Sequence, residues 1–441
     1  MRILMVNKFL YPNGGSETYI FKVGARLQAM GHEVQYFGME HEGRIVGNEA
    51  GIYTAPMDFH GGSKISKLAY PFQILYSTSA KADIKKVLES FHADVVHLNN
   101  INFQLTPSII DGIREFDPKI RIVFTAHDAQ WVCPNHLLRI PSTGAVCTKC
   151  IDGAVGNCTR NKCIHNSGFR SLLGTMEARL YQLKKTYAKV DKIICPSDFL
   201  NGVLCHNSQL EGRTVTLRNF VDMEEASPAA HAQEESQTNA AGTIGINAAT
   251  AEGDTGAVQQ MFAENGMQQG RYVLYFGRYT KEKGVATLLE AARKLPEIPF
   301  VFAGKGELKD EIDRTENVRE VGFLEGENLR AVIRGAAFVV FPSEWYENGP
   351  FVVIESIMSG TPILASNLGG TPEMIAEGET GELFAAGNAA ELTEKIASLY
   401  HDEKRLESYR QGCHRTAEGS GSIHFDSLQE YCDRLVREIY Q

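Results

Sequence analysis

Short apolar runs alternate with helical segments along the first half of the chain. The runs predicted to form strands are 2–7, 32–39, 94–100, 121–128, 192–198 and 214–222. The spacing of apolar residues at 17–31 predicts a helix that stops at Gly31. Strands that alternate with helices indicate a mostly parallel sheet covered by helices on both faces.

A second alternating series begins at residue 271. Its predicted strands are 271–278, 298–304, 318–324, 336–343 and 361–366. Helices are predicted at 285–295, after Pro350, and at 391–412. The predicted fold class is therefore α/β, with two Rossmann-like domains. Because ligands bind outside the carboxyl ends of parallel strands, we expect the two domains to face each other across a cleft.

Residues 224–270 interrupt the alternation. The segment is rich in Ala, Gly, Gln, Ser, Thr and acidic residues, and it contains neither Lys nor Arg. Because this composition offers little that could form a core, we predict a flexible, disordered linker or insert. The predicted domains are then 1–223 and 271–423, with a final helix at 424–441 that crosses back to the first domain.

Charge is distributed unevenly. Residues 1–223 carry 25 Lys and Arg against 19 Asp and Glu, whereas residues 224–441 carry 19 against 35. A basic first half favours an anionic partner, such as a phosphorylated substrate or a lipid head group, but a solvated surface with uneven charge explains it equally well. No apolar run approaches the roughly 18 residues that span a bilayer, and the first residues lack a signal-peptide cleavage pattern. We therefore expect a cytoplasmic protein.

The sequence GRYTKEKG at 277–284 follows a predicted strand and opens a helix. Such a turn presents backbone N–H groups and the positive end of the helix dipole. Arg278 adds a planar guanidinium and Lys283 adds a point charge. These groups together suit a diphosphate, although an ordinary charged surface loop has the same composition.

The sequence EWYENGPFVVIE at 344–355 places two acids, Glu347 and Glu355, around a Gly-Pro turn. Carboxylates accept hydrogen bonds from vicinal hydroxyls, Gly349 permits close approach of a ligand, and Pro350 suits the first turn of a helix. Two acids and a helix N-terminus can hold a polyol and a phosphate together. The alternative, an acid that favours the helix dipole, explains Glu347 but not Glu355 in an apolar run.

Two weaker signals lie in the first half. The glycines of PNGGSE at 12–17 follow the first strand and can approach a phosphate or a sugar. Their spacing is not GxGxxG, which argues against a dehydrogenase-type dinucleotide site. His127 and Asp128 end the strand at 121–128, where a histidine is well placed for a cleft, although a lone histidine is more often structural.

Five of the nine cysteines fall within 31 residues. Four of them have the spacing C-x2-C-x7-C-x4-C: Cys147, Cys150, Cys158 and Cys163. Cys133 lies upstream, and His165 lies beside the last of the four. Since the first pair has the spacing of a zinc knuckle, we predict a structural zinc that braces this loop. Reduced thiols and disulfides are the alternatives.

Residues 64–86 mix five lysines with apolar and aromatic side chains. This composition suits peripheral contact with an anionic membrane at its inner face. Pro71 interrupts the segment, and a helical hairpin with an exposed basic face fits the pattern at least as well.

Together these motifs resemble the retaining glycosyltransferases of family 4, which have the two-domain GT-B architecture. In the second half the resemblance rests on GRYTKEKG, AGKGEL, VGFL, FPSEWYENGPFVVIESIMSGTPILAS, GGTPEMI and TGELF, in this order. In the first half it rests on PNGGSE, GHEV, HD, PSDF and LRNFVD. The segment 224–270 is longer than the usual connection in that family.

The resemblance implies roles for the charged candidates. Arg278 and Lys283 would bind the diphosphate of a nucleotide sugar, such as a UDP-sugar. Glu355 would bind the ribose hydroxyls, and Glu347 would contact the donor sugar near its reacting end. His127 would contact the donor sugar or position the acceptor.

The resemblance also implies backbone contacts to the donor. N–H groups around Gly349, Phe351 and Val352 would bind the sugar and phosphates, since Pro350 has no N–H. Gly14 and Gly15 would close over the donor from the first domain.

The implied reaction moves a hexose to a glycan or lipid-linked acceptor, in the synthesis of cell-surface polysaccharide or glycolipid. Fixed cations stabilise charge on the leaving diphosphate, so no catalytic metal is expected, and no nucleic acid partner is expected either. No residue is an obvious nucleophile, which favours a front-face mechanism. The alternatives are a nucleotide-sugar epimerase of the same architecture and a non-catalytic nucleotide-sugar-binding protein.

Overall fold

The protein is described from a computed structural model, which defines residues 1–55, 75–222, 262 and 266–441. Within these residues the chain divides into two compact units. The first unit comprises Met1–Asn219 and Leu428–Gln441, and the second comprises Phe220–Ser427. Most of the linker predicted at 224–270, and residues 64–74 of the predicted basic segment, lie outside the described residues.

A six-stranded parallel sheet forms the centre of the first unit. Its strands are β1 (Arg2–Val6), β2 (Glu33–Phe37), β3 (Val95–Leu98), β4 (Arg121–Thr125), β5 (Lys192–Cys195) and β6 (Thr214–Thr216). Their order is β2-β1-β3-β4-β5-β6, and every neighbouring pair is parallel. The strand predicted at 214–222 keeps only its first three residues, which pair at the edge of the sheet.

The helices of the first unit cover this sheet. They are α1 (Gly15–Ala29), α2 (Thr78–Phe91), α3 (Ser108–Phe116), α4 (Gly156–Arg160), α5 (Gly168–Leu183) and α6 (Asp198–Leu204). Three begin at a serine whose hydroxyl accepts a backbone N–H of the first turn, which stabilises the helix start: Ser77, Ser167 and Ser197.

A second six-stranded parallel sheet forms the centre of the second unit. Its strands are β7 (Val273–Arg278), β8 (Phe300–Lys305), β9 (Val318–Glu320), β10 (Phe338–Phe341), β11 (Ile363–Ser366) and β12 (Gly381–Phe384). Their order is β12-β11-β10-β7-β8-β9. The chain therefore reverses its direction of travel across the sheet between β7 and β10. In open α/β sheets this topological switch point is where ligands bind.

In the part of the chain that the structure describes, six helices flank the second sheet and a seventh follows them. The six are α7 (Val285–Arg293), α8 (Lys309–Asp313), α9 (Gly326–Gly335), α10 (Phe351–Met358), α11 (Ala389–Tyr400) and α12 (Glu403–Ala417). The prediction of one helix at 391–412 was wrong, because the Asp402 carboxylate accepts the Arg405 N–H and starts a new helix there. The seventh, α13 (Leu428–Arg434), belongs to the first unit.

Apolar side chains fill both faces of the second sheet, in two clusters. Met267 is buried in one of them and Phe262 packs against it. The part of 224–270 that the structure describes therefore contributes to a core. Among the described residues, no helix has both the length and the apolar character needed to cross a bilayer.

Candidate active site

The loops that follow β7 and β10 touch each other at the switch point of the second sheet. Gly284 has a φ of 70°, and a Cβ at this position would lie 1.8 Å from the Pro342 carbonyl oxygen. Only glycine therefore fits here. The Glu344 N–H also donates to the Glu282 carbonyl oxygen at 2.9 Å, which joins the two loops.

This close approach brings two predicted site residues together. Lys283 Nζ donates to Glu347 Oε1 at 2.6 Å. The Ser343 hydroxyl donates to the same oxygen at 2.8 Å. The ammonium also lies 4.8 Å from the centre of the Trp345 ring. The pair is largely shielded, since the side chains of Lys283 and Glu347 are 22% and 11% exposed.

A third loop, which follows β11, fixes the backbone of Glu347. The Gly370 N–H donates to the Glu347 carbonyl oxygen at 2.7 Å. Gly369 has a φ of 65°, and a Cβ there would lie 2.7 Å from that same oxygen. Backbone and side-chain contacts from three loops therefore hold the Glu347 carboxylate in place.

Arg278 and Glu355 lie on elements next to this pair. Arg278 is the last residue of β7 and its side chain is exposed. Glu355 is exposed on the second turn of α10. The first turn of α10 contains no acid, and the carboxylate of Glu347 is bound to Lys283. The alternative in which Glu347 only favours the dipole of α10 therefore does not account for its contact with Lys283.

Pro350 is the N-cap of α10 rather than its first helical residue. Phe351 and Val352 follow as the first two helical residues and are half-buried against the core. The first N–H groups of a helix have no intrahelical acceptor, so these two are available to a ligand. Gly349 is half-buried immediately before the cap.

The glycine loop of the first unit lies at its own switch point, between β1 and β3. Gly14 is the N-cap of α1 and Gly15 is its first residue, and both are exposed. Asn100, which follows β3, donates through Nδ2 to the Ser16 hydroxyl at 2.7 Å. Its N–H donates to Asn7 Oδ1 at 3.0 Å. These bonds fix the start of α1 against the neighbouring strand.

His127 follows β4 and is held by a buried amide. Its Nε2 lies 2.9 Å from Asn99 Oδ1. Since the Asn99 Nδ2 donates to the carbonyl oxygens of Val6 and His97, its oxygen faces the ring, and His127 therefore carries its proton on Nε2. Burial lowers the pKa of His127 to about 4, although Asp128 opposes this shift. The imidazole is neutral at pH 7.

Asp128 is anchored to the loop that follows it. Its Oδ2 lies 3.4 Å from His136 Nδ1, and its Oδ1 accepts the Gln130 N–H at 2.9 Å. Burial raises its pKa, but the His136 ring and the Gln130 N–H outweigh burial and leave the pKa below its usual value. Asp128 is therefore ionised at neutral pH and ties His127 to the following loop.

A buried chain of polar groups lies behind His127. His97 is fully buried on β3, with Nδ1 2.7 Å from the Tyr440 hydroxyl and Nε2 2.7 Å from the Thr125 hydroxyl. The Tyr19 hydroxyl lies 3.1 Å from Thr125 and 2.8 Å from the Tyr431 hydroxyl. Burial, and to a smaller extent His127, lower the pKa of His97 to about 3. These bonds hold the C-terminal helix of the first unit against its sheet.

The cysteines form a separate cluster in the connection between β4 and β5. All five line one cavity: Cys133, Cys147, Cys150, Cys158 and Cys163. His165 is exposed and is not part of its lining. The described lysines of the predicted basic segment are paired with acids, because Lys81 and Lys85 contact Glu115 on α3 at 2.5 and 2.6 Å.

Sequence reasoning missed the polar groups that support the site. Ser343, Asn99 and His97 were not identified, although each leaves a signal. Asn99 comes directly after a buried strand and Ser343 comes two residues after another, where polar side chains reach the ligand-binding edge of a sheet. His97 is a polar residue inside a strand that is otherwise apolar and wholly buried.

Two family profiles match the chain. The profile described as Glycosyltransferase Family 4 matches residues 13–225. The profile described as Glycosyl transferases group 1 matches residues 258–415. The two matches lie side by side and together span most of the sequence.

Curated relatives resemble one part of the chain. Sulfoquinovosyl transferase SQD2 of Arabidopsis thaliana is 32% identical over 149 residues, which are 32% of this chain and 29% of that protein. Phosphatidyl-myo-inositol mannosyltransferase of Mycobacterium leprae (strain TN) is 28% identical over 149 residues, which are 32% of this chain and 40% of that protein. Each match thus spans well under half of the relative.

Solved structures resemble the whole chain. Sucrose-phosphate synthase from Thermosynechococcus elongatus has a TM-score of 0.64 at 16% identity, covering 99% of this chain and 97% of that one. Anabaena Alr3699/HepE in complex with UDP-glucose has a TM-score of 0.61 at 16% identity, covering all of both chains. These likenesses and the two six-stranded parallel sheets define the GT-B fold. The chain belongs to the group 1, family 4 glycosyltransferases.

Proposed function

We propose that this chain is a retaining glycosyltransferase that moves a hexose from a nucleoside-diphosphate sugar to a glycan or lipid-linked acceptor. The observation that carries the proposal is the bond between Lys283 and Glu347 at the switch point of the second sheet. It places a fixed cation beside a fixed carboxylate, and these groups suit a phosphate and a sugar hydroxyl. The complex of Anabaena Alr3699/HepE with UDP-glucose supports a donor of this class.

Donor binding redistributes the hydrogen bonds of this pair. The diphosphate takes Lys283 as a donor, together with Arg278 and the first N–H groups of α10. Both bonds that Glu347 accepts from Lys283 and Ser343 end on Oε1, so Oε2 accepts from a hydroxyl of the donor sugar. Glu355 accepts from the ribose hydroxyls.

Transfer breaks one bond and forms another on the same face of the sugar. The bond from the anomeric carbon to the diphosphate oxygen breaks, and that oxygen keeps the electron pair. The acceptor oxygen bonds to the anomeric carbon, and its proton passes to the leaving phosphate. Arg278 and Lys283 stabilise the charge that develops on the diphosphate. Because these fixed cations supply the positive charge, we propose transfer without a catalytic metal.

His127 acts as a neutral hydrogen-bonding group. Its Nε2 is directed to Asn99, which fixes the ring as it contacts the donor sugar or positions the acceptor. Gly14 and Gly15 are exposed at the start of α1 and let backbone approach the donor.

An exposed apolar face of α5 supports the proposal that the acceptor is lipid-linked. Phe169, Leu172, Met176 and Leu183 are 64%, 44%, 47% and 84% exposed and recur at helical spacing on the side away from the core. Arg179 is exposed beside this stripe, whereas the Lys184 ammonium, just beyond the end of α5, lies 3.5 Å from Asp111 Oδ2. An exposed apolar stripe beside a basic side chain suits the surface of an anionic membrane.

A panel of nucleotide sugars with candidate acceptors tests the proposed reaction. We expect one nucleotide sugar to release free nucleoside diphosphate in proportion to glycosylated product. An epimerised sugar nucleotide, or binding of the nucleotide sugar without turnover, would contradict transfer.

Vesicle flotation tests the acceptor surface. We expect the chain to float with vesicles that contain phosphatidylglycerol and not with vesicles of phosphatidylcholine alone. The double substitution Phe169→Ser and Leu183→Ser should abolish flotation. Ile45→Ser is the matched control, because Ile45 is 59% exposed elsewhere in the first unit. Equal flotation of all three proteins would exclude this face as the membrane contact.

A further inference from the structure

The connection between β4 and β5 contains little regular secondary structure. Between Ala126 and Ser167 its only helix is α4, with five residues, and its backbone pairing is an isolated bridge between Arg139 and Val146. Connections of this length are uncommon unless they bind something or are held by a staple. Buried apolar side chains hold part of the path of this connection, among them Trp131, Val132 and Leu138, and a staple would add to their stabilisation.

The backbone of this connection is also strained. Nine non-glycine residues in the described part of the chain have positive φ, and five of them lie here: His136, Leu138, Lys162, His165 and Asn166. Left-handed backbone is costly for most residues and persists where surrounding contacts enforce it. The strained positions flank Cys133 and Cys163.

Buried cysteine side chains pack together at the centre of this connection. Cys150, Cys158 and Cys163 form their own buried cluster, with Ile164 as the apolar residue packed against it. Together with Cys133 and Cys147 they line one small cavity, which Arg139 also lines. Cys147 is half-exposed, whereas the other four are at most 8% exposed.

Backbone N–H groups point at two of the four buried cysteine sulfurs. N–H groups of Leu138 and Asn135 point at the Cys133 sulfur. The Cys158 N–H points at the Cys150 sulfur. Such N–H donors favour a thiolate, and a cation in the cavity would offset the cost of burying it.

We propose that Cys133, Cys150, Cys158 and Cys163 bind one structural Zn²⁺ as thiolates. Binding releases four protons and leaves a site of charge −2, which the Arg139 guanidinium partly neutralises. Four thiolates select a soft, tetrahedral ion, and Zn²⁺ adds no redox chemistry. The half-exposed Cys147, which its spacing had suggested as a ligand, lies outside this set.

The sulfurs must turn inward to bind the ion. Among the described residues, no three of them lie within 4.8 Å of one another, whereas tetrahedral Zn–S bonds of about 2.3 Å require sulfurs about 3.8 Å apart. Rotation about the Cα–Cβ bonds supplies this movement. For Cys133 it exchanges the bond from its thiol to Asn135 Oδ1, at 2.9 Å, for a bond to the metal.

The metal would brace the loop that carries His127 and Asp128. The Cys133 N–H donates to the Ala129 carbonyl oxygen at 2.9 Å, and His136 contacts both Asp128 and the Ala129 N–H. Cys133 is thus one turn away from Ala129, the residue directly after Asp128. This inference does not depend on the proposed transfer reaction, because its test measures metal and not activity.

The test is the metal content of the purified full-length chain. We expect inductively coupled plasma mass spectrometry to find about one zinc per chain, and X-ray absorption to find four sulfur neighbours at about 2.3 Å. Cys158→Ser and Cys133→Ser should each lose the zinc. Cys147→Ser and the exposed Cys205→Ser should keep it.

Wild-type protein gives a second measurement in case the variants fail to fold. Titration with p-hydroxymercuribenzoate should release zinc to a colorimetric chelator while four thiols react. Zinc-free protein with free thiols or disulfides, or iron in place of zinc, would overturn the proposal. Zinc lost from Cys147→Ser but kept in Cys133→Ser would overturn the ligand set.

Discussion

Lys283 Nζ and Glu347 Oε1 lie 2.6 Å apart, although 64 residues separate them in sequence. The two residues follow the neighbouring strands β7 and β10, so the sheet order places their loops side by side. Neither is a core residue, and each belongs to a loop whose path is fixed by a glycine contact. The pair is largely shielded, and because a shielded ion pair must first recover the cost of desolvating its charges, it is weak evidence for a role in stability. Its fixed position at a switch point therefore points to ligand binding.

Lys283→Ala should reduce turnover by roughly 10²–10³, because one donor that stabilises charge on the leaving group is removed. The fold should persist, since Lys283 is not part of either core. The matched control is Lys281→Ala, which removes an exposed lysine from the same turn. Turnover at saturating donor should be near normal in the control. Near-normal turnover in Lys283→Ala as well would refute its assignment to the diphosphate.

Glu355→Ala should chiefly weaken nucleotide binding. Contacts to ribose hydroxyls are made in the ground state and in the transition state alike, so their loss changes affinity more than turnover. Calorimetry with the free nucleoside diphosphate measures this directly. Glu394→Ala removes an exposed acid from α11 in the same unit and should leave affinity unchanged. Identical affinities for all three proteins would show that Glu355 does not contact the nucleotide.

The pH profile of kcat/KM reports the ionisations of the free enzyme. Since burial lowers the pKa of His127 to about 4, His127 should contribute no inflection between pH 5 and pH 8. His127→Ala should lower kcat/KM by a similar factor across this range. An inflection near pH 6.5 that disappears in His127→Ala would mean that His127 titrates in the working range, contrary to its buried, neutral state.

Burial of His97 should make the stability of the first unit depend on pH. Its pKa is lowered to about 3 in the folded state, against about 6.5 when unfolded. The unfolded chain therefore binds the proton first, and stability falls as pH decreases from about 6.5 towards 3. Thermal unfolding between pH 7 and pH 5 should show a smaller decrease of Tm in His97→Gln than in wild type.

The control for this series is His92→Asn. His92 is exposed, and Asn tolerates its left-handed backbone, with φ of 46°. Its decrease of Tm with pH should equal that of wild type. A His97→Gln protein with the wild-type slope would show that His97 does not contribute to the pH dependence.

The sequence predicted the two parallel α/β units because buried parallel strands are recognisable as short apolar runs. It did not predict the break at Asp402, since the helical spacing continues across it and only the side-chain cap ends the first helix. The strand at 214–222 was overestimated because apolar residues continue beyond the edge of the sheet. Local patterns thus identify elements better than their ends.

Only part of the candidate site could be predicted from the sequence. Arg278, Lys283, Glu347 and Glu355 were named from motifs, and their roles remain predictions. The contact of Lys283 with Glu347, and the bond that Ser343 adds, depend on strand order and could not be obtained from spacing. The same limit applies to Cys133, which is distant in sequence from Cys150 but lines the same cavity.

We propose sugar transfer with retention at the site that Lys283 and Glu347 define. Proton NMR of the reaction in progress tests this proposal most directly, because it resolves the anomeric configuration of the first product formed. With an α-linked nucleotide sugar, we expect an α-linked product from wild type, and little product from Lys283→Ala. A β-linked first product, or equal product from both proteins, would contradict it.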